Sequence, residues 1–306
     1  MDRARQKIRY FFSSASKWGR RDRLACPSCG CARSSIEERK KVVTSLRRCA
    51  QCRLLYRTPI MTVEESASFY EEDYSQGFTT DIPGRGELEA LTAQAFAGTE
   101  KDYTTYVAVL DALGCRAGDR VLDFGCSWGY GSWQLAKAGY RVEAFEISTT
   151  RCAYAREELA VDAHDSLSEL RGPYNVFFSA HVLEHVPSVA DVIAFAQRVL
   201  APEGLFVAFT PNGSRPFKEA NSYAWHQLWG LVHPQFLDDV FYERAFDSSP
   251  YLLASDPYDL ENIGSWSGTK PRKLGMSGPE LLAAAHPHSE RLPGGAKELG
   301  RRHPAC

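Results

Sequence analysis

Residues 121–148 read VLDFGCSWGYGSWQLAKAGYRVEAFEIS. Val121, Leu122 and Phe124 make a short apolar run suited to a strand buried on both faces, and Gly125, Gly129 and Gly131 follow as a turn where main chain can approach a ligand closely. Trp133, Leu135, Ala136 and Ala138 then recur at helical spacing, Gly139 stops the helix, and Val142, Ala144, Phe145 and Ile147 return to strand composition. Glu146 closes this second strand about twenty residues beyond the turn, the place from which an acid in a βαβ unit accepts hydrogen bonds from ribose hydroxyls. The spacing predicts a nucleoside ligand and fits a dinucleotide and S-adenosylmethionine equally.

The glycine order separates the two. A pyrophosphate at a helix N-terminus calls for G-x-G-x-x-G, whereas here the order is Gly125-x-x-x-Gly129-x-Gly131. At these residues the chain resembles the class I S-adenosylmethionine-dependent methyltransferases, whose first motif, roughly D-x-G-x-G-x-G-x-G, is met by Asp123, Gly125, Gly129 and Gly131, with Ser127 in place of the middle glycine. The resemblance implies that the glycine turn and the Ser127 hydroxyl admit the methionine part of the cofactor and that Glu146 holds its ribose. It also implies an adenine contact from Asp165, shortly after a third strand. It runs strongly over residues 100–212: Asn175–Ser179 reads as a fourth strand, Val189–Leu200 as a helix and Gly204–Phe209 as a fifth strand before Thr210-Pro211-Asn212. Weaker likeness extends to about 285, where Glu280–Ala285 is a candidate for a final antiparallel strand of helix-like as well as strand-like composition.

His181, Glu184 and His185 form H-x-x-E-H, a spacing shared with a class of zinc metallopeptidases. A peptidase needs both histidines on one helix, and Pro187 interrupts any helix here. The stretch resembles instead the V-L-E-H-V segment of ubiquinone-type O-methyltransferases, with His181 where Glu is common. That likeness implies that Glu184 and His185 line an acceptor pocket, hold a divalent cation or remove a proton; the alternative is that they cap a helix and pair locally.

Upstream, Cys26-Pro27-Ser28-Cys29 and Cys49-Ala50-Gln51-Cys52 form two C-x-x-C pairs at the spacing of a four-thiolate zinc site, closed and therefore structural. A redox dithiol is the rival for either pair alone. Cys31 is a spare thiol nearby. The remaining cysteines are scattered, and nine thiols in 306 residues without a secretory signal point to a reducing cytoplasm. A C-x-x-C ribbon, the segment Phe69-Tyr70-Glu71-Glu72-Asp73-Tyr74 and a methyltransferase domain together resemble enzymes of polysaccharide, deoxysugar and natural-product tailoring. Sugar C-methyltransferases of this kind carry a longer C-terminal domain, so an O- or N-methyltransferase is the expectation.

The formal charge of −2 conceals an asymmetry: residues 1–60 hold 16 Lys and Arg against 4 Asp and Glu, and residues 61–267 hold 13 against 31. A basic ribbon could grip RNA, which makes an RNA methyltransferase the main rival, but an acidic body repels a polyanion from the cleft. A non-catalytic cofactor-binding protein is the other rival. No apolar run is long enough for stable membrane insertion.

The expected organisation is a basic flexible lead (1–23), a zinc ribbon (24–60), a linker with lid helices at Leu88–Phe96 and Tyr103–Leu113 (61–100 and onward), the methyltransferase domain (101–285) and a disordered tail (286–306). The domain is expected to be an α/β, doubly wound, seven-stranded Rossmann-like sheet. Residues 213–246 carry Tyr223, Trp225, His226, Trp229, His233, Phe236, Phe241 and Tyr242, an aromatic insert that is either a lid over the acceptor or the core of an inserted helical pair. His226 and His233 become candidate bases if they face the cofactor. The expected acceptor is a small molecule or saccharide. The sequence leaves the oligomeric state open.

Overall fold

A computed structural model describes residues 17, 20, 23–40, 42–61, 65, 81–247 and 249–287. Most of the basic lead, the segment Phe69–Tyr74 and nearly all of the C-terminal tail lie outside the described residues.

Two sheets organise the chain. The first is built from β1 (Ser34–Lys40), β2 (Thr44–Cys49) and β3 (Leu55–Thr58), antiparallel neighbours in that order. The second contains β4 (Arg120–Phe124), β5 (Arg141–Phe145), β6 (Asp162–His164), β7 (Tyr174–Ala180), β8 (Leu200–Pro211), β10 (Tyr251–Ser255), β11 (Arg272–Leu274) and β12 (Glu280–Ala285), in the order β11-β10-β12-β8-β7-β4-β5-β6. The five strands from β8 to β6 are parallel, and β12 enters antiparallel between β8 and β10. The expected seven strands are thus present, and a short eighth, β11, extends the edge beside β10. Register settles the ambiguous final segment: Leu281 and Leu282 sit opposite Thr210 and Phe209 of β8, and all six residues after Pro279 are held in the ladder.

The parallel strands are buried on both faces, so their apolar residues divide by alternation. Leu122, Phe124, Phe177, Phe206 and Ala208 face one layer, with α5 (Val189–Val199) packed on them. Val121, Val176, Phe178, Val207 and Phe209 face the other, covered by α2 (Thr104–Ala112), Leu135 of α3 (Tyr130–Lys137) and Ile263 of α9 (Leu260–Gly264). Helix α5 buries Val189, Val192, Ile193, Ala196 and Val199, the i, i+3, i+4, i+7 stripe that makes it amphipathic, and Ser188 caps it by accepting from the Asp191 N–H at 3.3 Å. Each such buried aliphatic side chain contributes about 1.5–3 kcal/mol. The expected helices before the glycine turn are α1 (Arg85–Ala93) and α2.

The insert differs from a lid. It folds as α6 (Arg215–Ala220), α7 (Ser222–Leu228), the two-residue strand β9 (Gln235–Phe236) and α8 (Asp239–Ala245). Phe217, Trp225, Trp229 and Phe236 are buried together with Leu46 and Leu55 of the small sheet, and Phe241 and Tyr242 enter the main core. Only Tyr223 of the aromatic set is exposed, at 77%. Strand β9 pairs with β3, Leu55 opposite Phe236 and Tyr56 opposite Gln235, so the small sheet takes its fourth strand from the methyltransferase segment. The aromatic residues are core because the cysteine module needs a face to bury.

Candidate active site

The glycine turn lies at the C-terminal ends of the parallel strands, beside the point where strand order reverses between β4 and β7, the usual position of a ligand crevice in such sheets. Gly125, Ser127 and Gly129 adopt positive φ of 91°, 53° and 90°. Only glycine takes that conformation without strain, so the two glycines are required by backbone geometry. Their Cβ positions are closed by the protein itself. A Cβ on Gly125 would lie 2.4 Å from Val182, and one on Gly129 2.8 Å from Ala155. Gly131 sits within α3 against the Tyr103 ring, which a Cβ would meet at 2.4 Å, so its demand comes from packing and not from bare main chain facing a ligand.

Glu146 follows β5 and is 8% exposed. Its Oε2 accepts from the Ser127 N–H and its Oε1 from the Ser148 N–H, both at 2.9 Å. Burial raises its pKa against those two donors. Each carboxylate oxygen can accept twice, so capacity for ribose hydroxyls remains. Among the described residues the buried Ser127 Oγ has no hydrogen-bond partner, and it fits a polar group of the cofactor. Ile147, next to Glu146, is 79% exposed and presents an apolar face where a planar base could lie. Ile147, of strand composition, lies two residues beyond the end of β5 at Phe145. Asp165 directly follows β6 and is half-buried, and because Phe145 pairs with His164, it comes next in register beside Glu146. Asp123 is buried beneath the turn and accepts from the Ser132 hydroxyl at 2.6 Å; burial pushes its carboxyl up to about 7. It anchors the start of α3 through that bond.

The His181–Ser188 segment is a turn and not a helix, which removes the metallopeptidase geometry. Because Val182 packs against Gly125, this turn lies directly beside the cofactor loop. His181 has a φ of 56° and its side chain is 47% exposed. Its Nε2 lies 2.6 Å from Glu280 Oε2, and Glu280 also accepts from the hydroxyls of Tyr106 at 2.8 Å and Tyr258 at 2.7 Å. Desolvation opposes the charged imidazolium, yet Glu184 and Glu280 outweigh it and raise His181 to about 10. The two carboxylates thus favour the charged imidazolium of His181. Neither Tyr106, Tyr258 nor Glu280 had a sequence signal, since they come from three distant segments.

Glu184 is fully buried, and among the described residues neither of its carboxylate oxygens has a hydrogen-bond partner. Burial pushes its carboxyl up, but His185 and the charged His181 pull it down further, to about 2. The His185 Nδ1 lies 2.7 Å from the Val232 carbonyl oxygen and the His233 Nδ1 2.6 Å from that of Leu228, so each ring donates there through Nδ1–H and carries its other lone pair on Nε2. The His185 Nε2 is 3.7 Å from Glu184 Oε1, and burial lowers this imidazole to about 4. Ligand atoms of Glu184, His185 and His233 all lie within 4.8 Å of one another, a set able to hold a cation. His226, the other candidate base, pairs with Glu38 of β1 and does not reach this cluster.

The four expected thiols converge. Cys26 Sγ is 3.5 Å from Cys52 Sγ and Cys29 Sγ is 3.5 Å from Cys49 Sγ, with all four within 4.8 Å. A tetrahedral zinc with bonds of about 2.3 Å spaces its sulfurs by roughly 3.8 Å, so the donor set fits that ion. The Gln51 N–H donates to Cys49 Sγ at 3.4 Å, as thiolates in such turns require. Cys31 stays outside the set.

A family model described as "Methyltransferase domain" matches residues 99–249. A ubiquinone biosynthesis O-methyltransferase of Pseudomonas aeruginosa (strain UCBPP-PA14) is 33% identical over 187 residues, covering 58% of this chain and 72% of that protein. One from Burkholderia orbicola (strain MC0-3) is 31% identical over 157 residues, covering 48% and 64% respectively. Among solved structures, geranyl diphosphate C-methyltransferase from Streptomyces coelicolor A3(2) is 18% identical, covers 72% of this chain and 97% of that one, and has a TM-score of 0.45, too low to bear on the assignment. The family model spans the glycine turn, Glu146 and the His181–His185 turn, and with a relative 33% identical and covered to 72% of its length the chain belongs to the class I S-adenosylmethionine-dependent methyltransferases.

Proposed function

We propose that this methyltransferase acts on an oxygen or nitrogen atom of a small-molecule or saccharide acceptor bound between the glycine turn and the His181–His185 turn. The observation that supports the reading is the Val182–Gly125 contact, by which the turn carrying Glu184 and His185 abuts the glycine turn. Relatives whose names specify O-methyltransferases support oxygen as the acceptor atom.

When bound, S-adenosylmethionine supplies a methyl group already activated on a positively charged sulfur. What remains for the protein is alignment and the fate of a proton, and alignment is the larger contribution. Glu146 and Ser127 hold the cofactor's polar atoms, and Ile147 offers its base an apolar surface. His185, lowered to about 4 by burial, accepts a hydrogen bond from the acceptor O–H or N–H at Nε2 and aligns it beside the buried Glu184 carboxylate. His181, held charged by Glu280, orients the acceptor and does not deprotonate it. The four cysteines hold a structural zinc ion that closes the N-terminal module.

Purified protein incubated with donor labelled in its methyl group and a fractionated cell extract tests this. Label in low-molecular-weight material is expected, with loss of at least about a hundredfold in rate for His185→Ala. Label recovered in RNA would replace the reading by the RNA-modifying one, and tight cofactor binding with no labelled product would leave a non-catalytic binding protein.

A further inference from the structure

The two segments that carry the Glu184–His185–His233 cluster are both fastened to the cysteine module. On one side, β3 pairs with β9, two residues after His233, and the Arg57 N–H donates to the Pro234 carbonyl at 2.7 Å. The same strand reaches the cluster from its other edge, where the Gln235 N–H donates to the Glu184 carbonyl at 3.2 Å and the Gln235 side-chain amide to that of Val186. Beyond β9, Arg48 of β2 meets the buried Asp238 at 2.6 Å, and Asp238 caps α8 by accepting from the Phe241 N–H at 2.9 Å. On the other side, Ser28, in the middle of the first C-x-x-C pair, accepts from the Ala190 N–H at 3.2 Å. That N–H is in the first turn of α5, the helix that begins where the His181–Ser188 turn ends. Cys26, Cys31, Cys49, Leu54 and Tyr56 share one buried core with Leu183, Val189 and Leu237.

We propose that the cysteine module is a positioning element of the acceptor site: Ser28 and the β3–β9 pairing fix the two loops whose side chains form the Glu184–His185–His233 cluster. The proposal rests on reading that cluster as the acceptor site, and its geometric part stands apart from that reading. Two loops from residues 181–188 and 229–234 have little regular structure to hold them, and a cluster spread across them keeps its distances only if both are tied to one rigid body. The module supplies that body, since its thiol knuckle touches one loop and its sheet extends into the other. Ser28, Arg48 and Asp238 are positioning residues, because none belongs to the cluster.

The test uses the full-length protein labelled with ¹³C,¹⁵N-histidine, in wild type, Ser28→Ala, Ser28→Thr and an Arg48→Met/Asp238→Asn pair. Three measurements are made on each: imidazole NMR signals of His185 and His233, amide hydrogen exchange at Ala190 and Gln235, and cofactor affinity by calorimetry. Ser28→Ala is expected to shift the His185 signals and speed Ala190 exchange by about tenfold. The charge-pair variant is expected to do the same for His233 and Gln235, with cofactor affinity unchanged within about twofold in both. Ser28→Thr, which restores the hydroxyl, returns the wild-type signals. Where a variant does not fold, removal of the thiol-bound metal with a chelator from wild-type protein replaces it and is expected to move both histidines. Unmoved imidazole signals in Ser28→Ala and after chelation, or equal loss of cofactor affinity, overturn the proposal. Moved histidines in a protein that transfers no label would overturn the functional reading and leave the positioning role standing.

Discussion

The proposed cofactor side and the proposed acceptor side of this molecule are built by different means. Asp123, Gly125, Ser127, Gly129, Glu146 and Asp165 all come from one continuous stretch, and the turn that presents them is held by bonds within that stretch, such as Ser127 N–H to Glu146 and Ser132 to Asp123. The proposed acceptor side joins Tyr106, His181, Glu184, His185, His233 and Glu280 from four separate parts of the chain, steadied by Ser28 and Arg48 of the cysteine module, a fifth. A local site follows from backbone rules over a short window. A dispersed one depends on every contact that brings distant segments together, so damage far from the chemistry should reach it.

Substitutions can break that contrast, beginning with the severest. Arg48→Ala leaves Asp238 buried and unpaired and should cost about 3–5 kcal/mol in urea unfolding, while the Arg48→Met/Asp238→Asn pair recovers most of the loss because no charge is stranded. If Arg48→Ala proves silent, the tie between the module and α8 is not structural. Gly125→Ala, forced into a φ of 91° with its Cβ against Val182, should lose about 2 kcal/mol or more of stability and lower cofactor affinity sharply, measured by thermal unfolding and calorimetry. Glu146→Ala should weaken cofactor binding by roughly tenfold or more at little cost in stability; unchanged affinity would remove Glu146 from the ribose role.

Acidity sharpens the comparison further. His181 has its pKa raised from 6.5 to about 10 by Glu184 and Glu280, so the native state holds a proton that the unfolded state has lost between those values. The stabilising contribution is complete below pH 6.5 and disappears as pH rises through about 10. His181→Gln should flatten this alkaline slope in denaturation curves, and a slope that survives would assign it to another group. The least effect belongs to the insert's surface: Tyr223→Ser, at an exposed position, should change stability by no more than about 0.5 kcal/mol, whereas Trp225→Ala in the buried set should cost about 3–5 kcal/mol. Equal costs would restore the aromatic lid.

The legible part of the chain was the part with short-range constraints. The strand, turn, helix and strand of residues 121–148 appear where their apolar spacing and glycines put them, and the two C-x-x-C pairs close on one another because two thiols three residues apart already share a turn. The edge strand β11 and the β9 pairing were not legible, since three-residue and two-residue strands carry no periodicity. Aromatic composition could show that residues 213–246 are apolar but not which surface they would cover.

What the sequence by itself determined is the cofactor unit and the thiolate set, because in both the participating groups are fixed by backbone conformation within a few residues of one another. Only the tertiary structure decided that His181 is a charged partner of Glu280, that His233 joins Glu184 and His185, and that the insert completes the cysteine module's sheet. Those outcomes depend on burial and on contacts between segments far apart in the chain. Such contacts are chosen by how whole surfaces pack, a property that no single stretch of residues contains.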